Sequence, residues 1–255
     1  YGAYKRRREL LWMSGAVLFL LMLAMAFTGY LLPWDQRAYF ATTVGTNLIG
    51  LVPWIGPQIK EALLGGDSMG TLTLSRFFVI HVFLLPAAIF GFVAVHVYLF
   101  RKAGAAGPAK GDPEKIRQKT ESFYPRQVVK DIVFVTLVIV TIGLLAHYRP
   151  ADLGPRADPA NTQYLPRPEW YYRPFFEWLK FWQGRLEILG VMVIPAVGLA
   201  VFFLWPFLDR NPERAPRRRP AAITAMVLTL LLVAGLGELS YWQDAMDPSV
   251  AKELA

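Results

Sequence analysis

The chain has 255 residues, 55% of them hydrophobic, a mean hydropathy of +0.34 and a formal charge of +8. Ordinary soluble domains are less apolar than this. With no cysteine, the chain forms no disulfide, supplies no thiolate to an iron–sulfur cluster and attaches no c-type haem through thioethers.

Five uncharged runs follow one another: Leu10–Trp34, Phe77–Phe100, Ile132–Tyr148, Ile188–Leu208 and Pro220–Gly237. They hold 25, 24, 17, 21 and 18 residues, against about 20 needed for a helix to cross a bilayer. Helices satisfy their own backbone in lipid, so the expected fold is all-α, an integral membrane protein of about five spans. The first run is too long for a signal peptide and lacks a small-residue cleavage site.

If all five runs span, the connectors alternate between two sides. Residues 1–9, 101–131 and 209–219 carry 17 Lys/Arg in 51 residues, whereas 35–76, 149–187 and 238–255 carry 10 in 99. By the positive-inside rule the N-terminus of this chain is cytoplasmic and the C-terminus outside. The basic clusters therefore read as topology signals rather than as a nucleic-acid surface.

Along the chain, GYLLPWDQ closes the first run at the outer interface, and the connector 35–75 has room for one or two short surface helices. The Gly/Ala/Lys-rich stretch after the second run reads as a cytoplasmic linker. Three parts are expected: 1–101 with two spans, a linker over 102–127, and 128–255 with three spans. The segment 170–182, WYYRPFFEWLKFW, has 8 aromatics in 13 residues and suits a membrane interface.

The second run carries His81 and His96, and ionisable groups inside a span are functional candidates by default. Fifteen residues of helix rise about 22 Å and turn about 60° net, so the two rings share a face. A lone histidine cannot build a zinc site, but an imidazole can hold a haem. Two stacked haems are one reading, and two helix–helix hydrogen bonds the other. Gly15 and Gly29, 14 residues apart on the first run, would let a flat group approach closely, or merely let helices pack. Pro86 lies between the histidines and can kink the span. His147 reads as an interfacial residue.

YLPRPEWYY places Glu169 among Pro, Trp and Tyr. Such surroundings should raise a carboxyl pKa and suit a proton acceptor. A Glu beside a helix N-terminus is the competing reading. Lys130 and Asp131 stand side by side at the inner end of the third run, either binding a polar head group and delivering protons or snorkelling to the interface.

Together GYLLPWDQ, TLSRFF followed by the two histidines, KDI and YLPRPEWYY resemble cytochrome b of the quinol-oxidising cytochrome bc complexes, over nearly the whole chain. The histidine spacing, PWDQ and three spans after the linker resemble the chloroplast and Gram-positive branch, with this chain as helices C to G. The resemblance implies two b-type haems: His81 on the low-potential haem iron and His96 on the high-potential one, with Gly15, Gly29 and Arg76 packing against them. It implies that Glu169 accepts a proton at an outer quinol-oxidation site shared with Tyr30, Pro168, Trp170, Tyr171 and the connector 40–55. Arg101, Lys130 and Asp131 would line an inner quinone-reduction site. One electron would reach a Rieske iron–sulfur protein and the other would cross the membrane, in a dimeric complex with a c-type cytochrome in a bacterial inner membrane. In the family each haem has a second histidine on helix B. Nothing here resembles helices A and B, so a separate chain or a segment outside this sequence would supply those ligands. Arg173-Pro174 interrupts the apolar stretch usual after PEWY, and Lys102 stands where mitochondrial relatives carry an inner-site histidine. The rivals are a b-haem membrane anchor of another oxidoreductase and a haem-free transporter or assembly subunit.

Overall fold

The computed structural model describes residues 2–5, 7–109, 114–115, 121–161, 163–248 and 250. It is all-helical; among these residues the one β-type pairing is an isolated bridge between Asp35 and Arg156. Five helices are long and apolar enough to cross a membrane. They are α1 (Glu9–Tyr30), α4 (Thr71–Ala103), α5 (Phe123–Tyr148), α7 (Gly184–Leu208) and α8 (Pro220–Met246). Short helices α2 (Gln36–Gly50), α3 (Gly56–Leu64) and α6 (Arg173–Lys180) occupy the connectors. The spans turn most apolar side chains outward, Phe83 and Phe90 being 72% and 75% exposed. That arrangement suits a hydrocarbon phase, where burial against protein is not needed.

Local chemistry sets the ends. α1 stops at Tyr30, four residues before the end of the apolar run, because Pro33 follows and Trp34 adopts a left-handed φ of 53°. Asp35 then caps α2, its carboxylate accepting from Ala38 N at 2.8 Å. α3 ends at Gly65, φ 81°, and α4 at Gly104, φ 73°, both conformations that favour glycine. α8 runs nine residues beyond the apolar run to Met246, and near its end Asp244 is ion-paired to Arg167 and Arg173.

Pro86 does not break α4. The helix widens into a π-helical turn over Ile80–Leu84, which accommodates a ring that has no N–H and would clash with the preceding turn. The same device precedes Pro195 in α7, over Leu189–Val193.

The chain divides into two compact units, residues 1–105 with 155–255, and 106–154. In the larger unit, connectors gather at the two ends. At one end Asp209 binds Lys5 at 2.9 Å and Arg219 at 2.5 Å and accepts from Tyr4, while Arg8 donates to the carbonyls of Ala103, Gly104 and Ala105. At the other end Gln36 anchors the loop before α6. Its backbone N donates to Pro155 O at 2.9 Å, and its side chain donates to Asp158 O at 3.1 Å and accepts from Asp158 N at 2.5 Å.

Candidate functional site

α1 and α4 run antiparallel and bring both glycines against both histidines. Gly29 faces His81: a Cβ there would lie 2.5 Å from His81 Cε1, a distance no side chain tolerates. Gly15 faces His96, where a Cβ would lie 3.3 Å from Cε1. What approaches the glycines is thus the imidazole itself, not only a flat group beyond it. The π turn explains how a 14-residue interval on α1 matches a 15-residue interval on α4. One residue is taken up by the wider turn, leaving about 14 α-helical steps and about 21 Å between the rings.

The residues before the glycines hold the rings. Thr28 Oγ1 lies 3.1 Å from His81 Nδ1, and Ser14 Oγ lies 2.8 Å from His96 Nδ1. Among the described residues neither Nε2 has a hydrogen-bond partner. Two imidazoles, each held through Nδ1 and set against a glycine, are a donor set that would fit two haems. A cavity of about 350 Å³ opens beside His96, lined by Trp12, Gly15 and Phe202 among others. Ser14 and Thr28 escaped the sequence reading; their position immediately before each glycine was the available signal.

A second cavity, about 710 Å³, lies at the opposite end of the unit from Asp209, within the size range of small-molecule sites. Phe27 and Tyr30 of α1, Gly45 and Ile49 of α2, Pro168 of the loop and Phe176 of α6 form its largely apolar wall. Arg37 also lines it and binds Glu169 Oε1 at 2.5 Å. The apolar setting expected for Glu169 is therefore incomplete, because a guanidinium 132 residues away in sequence faces it. Hydrogen bonding to Glu169 raises the Arg37 pKa, against the effect of burial. Burial and the nearby Glu169 charge also push the Tyr171 phenol up. The Tyr30 hydroxyl is buried beside the Glu169 backbone, and its ring packs edge-on against Tyr172. Trp170 is 70% exposed, and neither it nor Tyr171 lines this cavity.

Arg173, which interrupts the apolar stretch, is buried and bound to Asp244 of α8 at 2.6 Å; Arg167 binds the same carboxylate at 2.7 Å. The interruption thus fastens α6 to the last span. Arg76 donates to Ala62 O at the end of the connector helices. Arg101 is exposed at the end of α4. Lys130 pairs with Glu121 at 2.5 Å and Asp131 accepts from Gln127 at 2.8 Å, so the adjacent acid and base bond to other residues. These two lie in the smaller unit and Arg101 in the larger. His147 is exposed and packs edge-on against Tyr148.

Residues 1–155 match the family described as cytochrome b (N-terminal)/b6/petB, and residues 156–248 match cytochrome b (C-terminal)/b6/petD. Cytochrome b of Rickettsia bellii is 38% identical over 258 residues, covering 98% of this chain and 62% of that protein. Cytochrome b of Rhodobacter capsulatus is 36% identical over 248 residues, covering 86% of this chain and 56% of that protein. A chain of a hyperthermophilic respiratory complex III superposes with a TM-score of 0.76 at 28% identity, covering 94% of this chain and 65% of that one. The chain thus spans roughly three-fifths of the length of these cytochromes b. With five apolar helices in place and both halves of the family matched in order, the chain belongs to the cytochrome b family.

Proposed function

We propose that this chain is the b-type cytochrome part of a quinol-oxidising complex that donates to a c-type cytochrome or similar acceptor. The observation that carries the reading is the doubled pairing of Gly29 with His81 and Gly15 with His96, at opposite ends of two adjacent spans. His81 and His96 would each hold one b haem through Nε2. The two haems, when bound, supply a one-electron path between the two membrane faces. By the family resemblance, a second histidine for each haem would come from a separate chain or from a segment outside this sequence.

The 710 Å³ cavity is the quinol-oxidation site. Its apolar wall takes a quinone ring and tail, and Tyr30, which lines it, meets a ring oxygen. Glu169, at the cavity's edge with Arg37 on it, accepts a proton as quinol is oxidised. Pro168 shapes the wall; Trp170 and Tyr171 complete the loop around it. Arg76, charged and five residues before His81, serves the outer haem. The resemblance assigns Arg101 of the larger unit, and Lys130 and Asp131 of the smaller, to quinone reduction. The basic face is cytoplasmic, as its basic residues require. Partners are a Rieske protein, a c-type cytochrome and a second copy of the complex in a bacterial inner membrane. PWDQ and the histidine interval favour the chloroplast and Gram-positive type of organisation, although the relatives named above are proteobacterial. The parts 1–101, 102–127 and 128–255 correspond to haem-binding, linker and PEWY-bearing portions.

Reduced-minus-oxidised spectra of the native complex test the reading. His81→Ala and His96→Ala should each remove a different b haem. Glu169→Gln should slow quinol oxidation by roughly 10²–10⁴-fold with haem content intact. Unchanged haem content in both histidine variants would overturn the ligand assignment, and absence of b-type bands altogether would return the chain to a haem-free membrane role.

A further inference from the structure

The two imidazoles are held by one device used twice. Ser14 and Thr28 sit 14 residues apart, each directly before a glycine, and both are buried. Each hydroxyl also touches the carbonyl one turn back. Thr28 Oγ1 donates to Ala24 O at 2.8 Å, and Ser14 Oγ donates to Leu11 O at 2.9 Å. Such back-bonding is ordinary for hydroxyls in apolar helices.

A hydroxyl has one proton. If it goes to the carbonyl, the oxygen accepts from the ring, Nδ1 carries the imidazole proton, and Nε2 is a bare lone pair. Both protons then have acceptors. If the hydroxyl instead donates to Nδ1, the ring proton moves to Nε2, where no acceptor stands among the described residues. Both rings are half-buried on an apolar span, where an N–H without an acceptor costs several kcal/mol because lipid offers none. The first arrangement wins at both ends, and it is the tautomer a metal needs.

We infer that Ser14 and Thr28 are positioning residues that fix the ring plane and tautomer of His96 and His81, and so tune the potential of the haem each holds. The inference rests on the haem-ligand reading above. A hydrogen bond accepted from Nδ1–H makes the imidazole a more basic ligand, which favours ferric over ferrous iron.

The test is a redox titration of both b haems in the native complex, with low-spin ferric EPR spectra. Thr28→Val should shift only the haem held by His81, and Ser14→Ala only the haem held by His96. Each shift should be to higher potential, by about tenfold in the ferrous-to-ferric ratio, or about 59 mV for one electron. Thr28→Ser should restore the native value. If Thr28→Val loses its haem outright, recovery in Thr28→Ser still supports the inference, and failure to recover overturns it. Unmoved potentials and EPR spectra in both variants overturn it too, provided His81→Ala and His96→Ala each cost a haem. If those two variants keep both haems, the ligand reading fails instead.

Discussion

At Gly29 the structure leaves no room for a side chain, and at Gly15 almost none. The two glycines are nevertheless unequal. A methyl at Gly29 meets His81 at 2.5 Å and must displace the ring, whereas at Gly15 the contact with His96 is 3.3 Å and a few tenths of an ångström suffice. Gly29→Ala should therefore lose or distort the haem at His81, at about 1–3 kcal/mol of overpacking. Gly15→Ala should keep its haem with a small spectral shift. Haem content per complex checks this, and the opposite order of severity would contradict it. The glycines and histidines were legible because each pair repeats at helical spacing. Arg37 was not, because nothing in QRAYF points to a carboxylate 132 residues on.

Among the elements, the π turn in α4 shows how local geometry corrects a register. Simple helical counting sets the two histidines about 60° apart, slightly out of step with the glycines. Pro86 forces a wider turn, which absorbs one residue and aligns the intervals. The proline is visible in the sequence; the choice between a kink and a π turn belongs to the packing of α4 on α1. α6 gives a second case. It docks on α8 because Asp244, 3% exposed, takes both Arg167 and Arg173. Asp244→Asn leaves Arg173 buried with no full counter-charge and should cost about 3–5 kcal/mol. Thermal unfolding of the detergent-solubilised complex would register this as a lower midpoint; an unchanged midpoint would make α6 docking independent of the pair.

Across the whole molecule, Asp209 ties the start of the chain to the loop between the last two spans. Burial works against its charge, but hydrogen bonds from Tyr4 and Lys5 and the Arg219 charge hold its pKa at about 2, below the ordinary 3.8. A carboxyl depressed in the folded state stabilises the fold above its unfolded pKa, and the contribution disappears as pH falls through the folded value. Acid should therefore loosen this end progressively between about pH 4 and pH 2, and Asp209→Asn should already be loosened at neutral pH. Hydrogen exchange of residues 2–5 against pH measures it; flat exchange across that window would show that the cluster contributes nothing. Beside it Arg8 bonds the carbonyls of residues 103–105, so residues 2–5, 8, 103–105 and 209–219 gather at one end of the larger unit.

The sequence by itself determined five long apolar helices, the approximate position of each and the glycine–histidine intervals. Each of these is written locally, in runs of apolar residues, in Pro and Gly at boundaries and in helical periodicity. Tertiary structure alone decided that Thr28 and Ser14 hold the rings, that Arg37 meets Glu169, that Gln36 anchors the outer loop and that Asp244 and Asp209 pair with buried cations. Those contacts join residues from 10 to 205 positions apart. Charge and hydrogen-bonding capacity mark a residue as needing a partner, but only the packing of one helix on another selects which partner comes within 3 Å.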